Sequence, residues 1–135
     1  MKIYQWRRVY VDGKPDPFFR DFRDASGIYE IRFDGEKHEA PDFGIAYVGV
    51  SVGNLKKTML RHFQAWNDKD TIRTKGGGMF EKYHFLATGH DRKKAEVRIT
   101  VCTPTQARKL EADKIARYRP EGNKQGKPEL EEAPF

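Results

Sequence analysis

Two apolar runs and the segment after them decide the fold: Gly27-Ile28-Tyr29-Glu30-Ile31-Arg32-Phe33, then Ala46-Tyr47-Val48-Gly49-Val50-Ser51, then Asn54-Leu55-Lys56-Lys57-Thr58-Met59-Leu60-Arg61-His62-Phe63. In the first run Ile28, Ile31 and Phe33 are apolar while Glu30 and Arg32 are polar, which reads as a strand. Residues 45–51 read as a second strand, antiparallel to the first. The polar interval 34–44 carries Asp34-Gly35 and Pro41-Asp42 and reads as a loop, too long to fix the strand register. Asn54 suits a helix N-cap. Behind it Leu55, Met59, Phe63 and Trp66 recur at helical spacing and point to a core-facing stripe ending near Asn67. His62 falls on that stripe, Thr58 lies one turn before it, and Lys56, Lys57 and Arg61 turn toward solvent.

Outward from this centre, residues 1–25 read as an N-terminal extension packing on the core. Val9-Tyr10-Val11 is a short strand stopped by Asp12-Gly13, Pro15 and Pro17 keep the chain irregular, and Phe18, Phe19 and Phe22 form an apolar cluster. Toward the C-terminus, residues 68–79 are charged and glycine-rich and read as a mobile loop. They have no Lys-Ser/Thr ending, so a nucleotide-binding P-loop is a poor reading of them. Phe80 to Ala87 is ambiguous between strand and helix, and Gly89 to Lys94 reads as a turn. Ala95-Glu96-Val97-Arg98-Ile99-Thr100-Val101-Cys102 alternates strictly, as a strand does. Thr103-Pro104-Thr105-Gln106 opens a helix with a capping-box pattern, and Pro120 stops it near Arg119. On that helix Ala107, Glu111, Ile115 and Tyr118 share one face. Residues 124–135 read as a polar tail.

Composition bounds the function. The chain has 135 residues, enough for one domain, with a formal net charge of +6. That excess favours a polyanionic partner. A single cysteine, Cys102, excludes an internal disulfide and a multi-cysteine zinc site. With no long apolar run, the expectation is an intracellular, cytoplasmic protein with no membrane partner.

Taken singly, the candidate site residues have ordinary structural readings. Tyrosine is a normal strand residue, a core histidine is common, and lysines on a helix are usually solvated. A glutamate at the edge of an apolar stripe is less ordinary, because a half-buried carboxylate needs an ion partner, hydrogen bonds or a metal. Glu111 therefore stands between an ion pair and a hard divalent cation. Tyr29, Tyr47 and His62 are candidate proton-transfer groups, and Lys57 and Arg61 are candidate phosphate binders.

Their order along the chain is more telling. Gly27-Ile28-Tyr29 and Tyr47-Val48-Gly49, with Ser51 and Asn54-Leu55, then His62-Phe63, then Leu110-Glu111-Ala112 with Ile115, then Tyr118, Pro120 and Asn123, resemble in sequence order the motifs of the GIY-YIG nuclease superfamily. The likeness spans residues 26–123. It implies an α+β fold, a three-stranded antiparallel sheet flanked by helices. It also implies hydrolysis of DNA phosphodiesters with one Mg²⁺ or Mn²⁺ held by Glu111. Tyr29 or Tyr47 would deprotonate or position the attacking water, His62 would assist proton transfer, and Asn123 would support the site by hydrogen bonding. The chain departs from the pattern at Thr58, where relatives carry an arginine that binds the scissile phosphate. Arg61, roughly 60° around the helix, or Lys57 would have to replace it. Gly53 reads as a one-residue insertion. The alternative expectation is a domain that binds DNA or a protein partner without cutting it; a homodimer is left open.

Overall fold

A computed structural model describes residues 1–33, 44–64, 91–120 and 122–123. Its centre is an antiparallel sheet of three long strands: β5 (Gly27–Phe33), β6 (Ile45–Ser51) and β7 (Ala95–Val101), with β5 in the middle. The architecture is α+β. The sheet is wider than the three strands expected, because the N-terminal segment adds β1 (Lys2–Ile3) and β2 (Arg7–Arg8) to the outer edge of β7. These two-residue strands were not legible from the sequence: each is too short to show any alternation. The Tyr4 N–H also bonds the Ile99 carbonyl at 2.8 Å.

Strand alternation separates two faces of the sheet. Tyr29, Ile31, Tyr47, Val97 and Ile99 face one way, and join Phe19, Phe22, Leu55, Met59 and Phe63 in the hydrophobic core. Helix α1 (Leu55–Gln64) and the 3₁₀ helix Pro17–Phe22 cover that face. Each large side chain sealed there contributes ~1.5–3 kcal/mol of transfer free energy. The other face carries Glu30, Arg32, Glu96 and Arg98, and is covered by helix α2 (Pro104–Tyr118). Beyond Ile31 and Tyr47 the register of β5 and β6 shifts by one residue at a bulge, so Arg32 pairs with Ile45.

The polar residues of β5 therefore do not face water. Every residue of the strand is buried, with Glu30 at 0% exposure. The reason is position: β5 is the central strand, with a helical layer on each face. Its charges are neutralised by partners directly across on β7. Glu30 stands opposite Arg98 and Arg32 opposite Glu96, with Arg98 bonding Glu30 through two nitrogens at 2.7 Å each and Arg32 Nε donating to Glu96 at 2.9 Å.

The helix starts follow the sequence. The Asn54 carboxamide accepts from the Lys57 N–H at 3.0 Å and caps α1. Thr103 and Gln106 complete their capping box, and α2 ends at Tyr118 with Arg119 left-handed at φ 48°. The extension is more regular than its prolines implied. Asp12 and Gly13, both at positive φ, turn the chain between β3 (Tyr10–Val11) and β4 (Lys14–Pro15). Asp16 then caps the 3₁₀ helix, accepting from the Phe18 N–H at 2.9 Å and from Arg7 Nε at 3.1 Å.

The Phe18 amide chiefly holds the Asp16 carboxyl below its usual range; desolvation opposes it, and the Arg7 hydrogen bond and charge each add a lesser pull downward. Because the folded value is depressed, the stabilisation is complete above the ordinary carboxylate value of about 4 and is lost as pH falls through the folded pKa. Asp16→Ala is expected to cost ~1 kcal/mol at neutral pH, with the gap from wild type closing in acid, as read by urea denaturation.

The expected end of the first helix at Trp66 and Asn67, the loops at 34–43 and 68–79, the ambiguous Phe80–Ala87 stretch and the tail 124–135 lie outside the described residues. Among the described residues no helix is long and apolar enough to cross a membrane.

Candidate active site

Tyr29, Tyr47 and His62 meet on the α1 face of the sheet. The strand register explains how. Tyr29 on β5 lies directly opposite Gly49 on β6, and Tyr47 sits two residues along β6, so both rings rise from one face. Glycine at 49 is a steric necessity: a Cβ there would run into Cζ and Oη of Tyr29, which crosses β6 at this point. Gly27 meets a similar demand, since a Cβ would strike the Thr100 carbonyl oxygen. Helix α1 then lowers His62 onto the pair. Tyr29 Oη and His62 Nε2 are 2.9 Å apart. The Tyr47 ring lies 4.3 Å from the imidazole and 6.0 Å from the Tyr29 ring, centroid to centroid. Exposure is 1% for Tyr29, 1% for Tyr47 and 0% for His62. This is a dry phenol–imidazole pair with a second phenol against it.

Asn123 reaches the same strand from the other side. Its Oδ1 accepts from the Val48 N–H at 2.8 Å and its Nδ2 donates to the Val48 carbonyl at 2.7 Å. The side chain thus mimics a neighbouring strand for the residue between Tyr47 and Gly49. β6 is the last strand of the sheet among the described residues, and its backbone receives Asn123 while Tyr29 crosses its face at Gly49.

Glu111 is half-buried on α2, on the stripe formed with Ala107, Lys114 and Tyr118. Because Lys114 bonds Glu30 while His62 bonds its neighbour Tyr29, α2 and α1 lie on opposite faces. The structure therefore joins Tyr29, Tyr47 and His62 directly and ties Asn123 to their strand, but places Glu111 apart from them, on the helix over the opposite face of the sheet. Among the described residues no three His, Cys, Asp or Glu side chains form a metal cage. The donor chemistry of Glu111 fits a hard ion bound through one carboxylate and keeping most of its waters.

Thr58 occupies the departure from the nuclease pattern. Its Oγ1 donates to the Asn54 carbonyl at 3.1 Å and lies 2.9 Å from the Ser51 hydroxyl, which can donate to it. That uncharged pair tethers α1 to the end of β6 and supplies no cation. On the same helix Lys57 is exposed, while Lys56 and Arg61 are half-buried.

Sequence reasoning missed Lys114, Arg98 and Trp6. Lys114 Nζ donates to Glu30 at 3.1 Å. Trp6, from the extension, stacks beneath the Arg32 and Arg98 guanidiniums at 4.1 and 4.9 Å. A signal was present: Glu30 and Arg32 on one strand complement Arg98 and Glu96 on the antiparallel partner. No family model matches the chain, and no curated protein or solved structure matches it at the significance required of a relative.

Proposed function

We propose that the chain is a metal-dependent DNA endonuclease of the GIY-YIG type. The observation that carries this reading is the Tyr29 Oη to His62 Nε2 contact at 2.9 Å, with Tyr47 alongside. Three residues singled out by motif order, from two strands and a helix, converge in one cluster.

The chemistry follows from their roles. A water attacks the phosphodiester phosphorus, and the leaving oxygen departs with the bonding electron pair and takes its proton from solvent. Tyr29 Oη takes the proton of that water while passing its own to His62 Nε2, a relay the hydrogen bond already aligns. Tyr47 packs against the imidazole and helps fix its plane. Asn123 holds the edge of β6, and so both tyrosines, in place. Lys57 and Arg61 contact backbone phosphates, with Arg61 taking the duty of the missing arginine. Glu111 would be the residue to hold Mg²⁺ or Mn²⁺, which would supply positive charge against the negative charge developing on the phosphoryl oxygens.

The test is incubation of the purified protein with supercoiled plasmid and Mg²⁺ or Mn²⁺. Nicking that a chelator abolishes is the expected result, and no nicking with either metal at any protein concentration counts against the assignment. A second reading has its own support. Thr58 is bound locally to Ser51 and Asn54, and the Tyr29–Tyr47–His62 cluster is almost wholly buried. Both suit a domain that retains DNA without cutting it. Retention of plasmid on a gel at low salt, with no nicking, would favour that reading.

A further inference from the structure

Beside the start of β7, the hairpin of β3 and β4 packs against a 3₁₀ turn, Arg92–Lys94. Between them lies a cleft of about 320 Å³, lined by Tyr10, Asp12, Gly13 and Lys93. The proposed chemistry uses none of these residues. Alternation along the hairpin puts Tyr10 and Pro15 on one face and Val11 and Lys14 on the other. The Tyr10 face turns inward: Tyr10 is half-buried, whereas Val11 is 48% exposed. The Tyr10 ring meets Phe63 edge-to-face, with centroids 6.0 Å apart. Phe63 directly follows His62 on α1. One ring therefore reaches from the cleft to the helix end that carries the phenol–imidazole pair.

The Lys93 side of the cleft is held in place by its backbone. Asp91 Oδ1 accepts from the Lys93 N–H at 2.9 Å, the Asp91 carbonyl accepts from the Lys94 N–H at 3.0 Å, and Arg8 Nη1 donates to the Lys93 carbonyl at 2.7 Å. These bonds fix the turn and leave the Lys93 side chain exposed, and among the described residues no carboxylate pairs with its ammonium. Arg8 and Lys94 are exposed beside it, so the rim is cationic. At the hairpin turn a Cβ on Gly13 would meet nothing within 4 Å, so the mouth is open there. An aromatic ring, a cationic rim and one carboxylate acceptor match the parts of a nucleotide. The ring stacks on a base, the ammonium meets a phosphate, and Asp12 accepts from a base amino group while repelling phosphate from its own side. The volume lies at the low end for small-ligand sites, which suits a single nucleotide. Bases in a duplex already stack on each other, so an aromatic platform selects an unpaired one. Resting on the DNA reading above, we infer that this cleft is an accessory subsite for one nucleotide of a single-stranded stretch of DNA, its base on Tyr10 and its phosphate on Lys93. The N-terminal extension thereby becomes part of the DNA-binding surface.

The test is fluorescence anisotropy of the full chain with a short labelled oligodeoxyadenylate and with an abasic strand of the same length, across a salt series. Wild type is expected to bind the base-bearing strand about fivefold or more tighter, the size of one base–aromatic stack. Tyr10→Leu keeps an apolar side chain against Phe63 and is expected to erase that preference, leaving abasic binding unchanged; Tyr10→Trp restores it. Lys93→Gln is expected to weaken both strands and to lower the slope of log affinity against log salt by about 0.7, the value for one phosphate contact on a single strand. Lys93→Arg keeps the wild-type slope. Equal binding of the two strands by wild type would overturn the subsite, as would wild-type behaviour of a folded Tyr10→Leu protein. If circular dichroism shows Tyr10→Leu to be unfolded, the exposed Lys93→Gln decides through its salt slope, and an unchanged slope overturns the subsite. Plasmid nicking, read in parallel, separates this inference from the nuclease assignment. Absent nicking with base-dependent binding intact removes the nuclease and leaves the subsite standing. If wild type retains neither strand nor plasmid at low salt, the DNA reading falls and the subsite falls with it.

Discussion

Glu111→Ala is expected to reduce metal-dependent nicking by about three orders of magnitude while leaving DNA retention at low salt nearly unchanged. The size follows from the role. A divalent ion at a transferring phosphoryl group stabilises the transition state by several kcal/mol, and each 1.4 kcal/mol is tenfold in rate. Retention survives because non-specific binding is carried by cations, and the change removes a negative charge from a chain whose net charge is +6. Glu111→Gln is the sharper control. It keeps the size and hydrogen bonding of the side chain on α2 but lacks the charge a hard cation requires. Both variants are expected to melt close to wild type, because Glu111 is only half-buried and lies outside the hydrophobic core. Cleavage at the wild-type rate by either variant, in matched Mg²⁺, would remove Glu111 from the site.

The rival reading makes Glu111 the member of an ion pair, and the two diverge in what restores function. A carboxylate that serves only as a counter-ion can be exchanged for glutamine with a modest loss of stability and no loss of rate. A metal ligand cannot. The half-buried position of Glu111 on the stripe between Ala107 and Lys114 suits both roles, so the glutamine variant decides where the geometry alone does not.

The parts of the fold that the sequence exposed are those with a local cause. Helix α1 has its cap at Asn54 and its stripe at Leu55, Met59 and Phe63; α2 has its capping box at Thr103 and Gln106; β7 alternates without a break. The convergence of Tyr29, Tyr47 and His62 was legible through motif order, although their register was not, because the interval between the two strands is too long for sequence to fix it. What stayed hidden depends on tertiary partners. Glu30 and Arg32 look like the wet face of a strand until β5 is known to be central and covered on both sides. β1 and β2 exist only because β7 offers an unpaired edge. Thr58 looked like a bare loss of an arginine, whereas its hydroxyl forms a local chain with Ser51 and Asn54.

Gly49→Ala is expected to be among the most damaging single-methyl changes in the described core, lowering stability by ~2–6 kcal/mol and disrupting the Tyr29–Tyr47–His62 cluster at the same time. The added Cβ meets Cζ and Oη of Tyr29. A flexible side chain on the surface would swing aside. The Tyr29 ring has no such freedom: it is 1% exposed, near-parallel to Tyr47 at 26°, and bonded to His62. Overpacking of this kind costs about 1–3 kcal/mol, and moving the phenol strands buried polar atoms for about 1–3 kcal/mol more. Total stability for a domain of this size is about 5–15 kcal/mol, so the variant folds weakly but measurably. A double-mutant cycle isolates the cause. In a Tyr29→Ala background the methyl at position 49 enters space the ring has left, and its cost is expected to fall below about 1 kcal/mol. Urea denaturation of the four proteins reads the coupling directly. Additive costs would mean that Gly49 is needed for the backbone of β6 and that the crossing of Tyr29 over it is incidental.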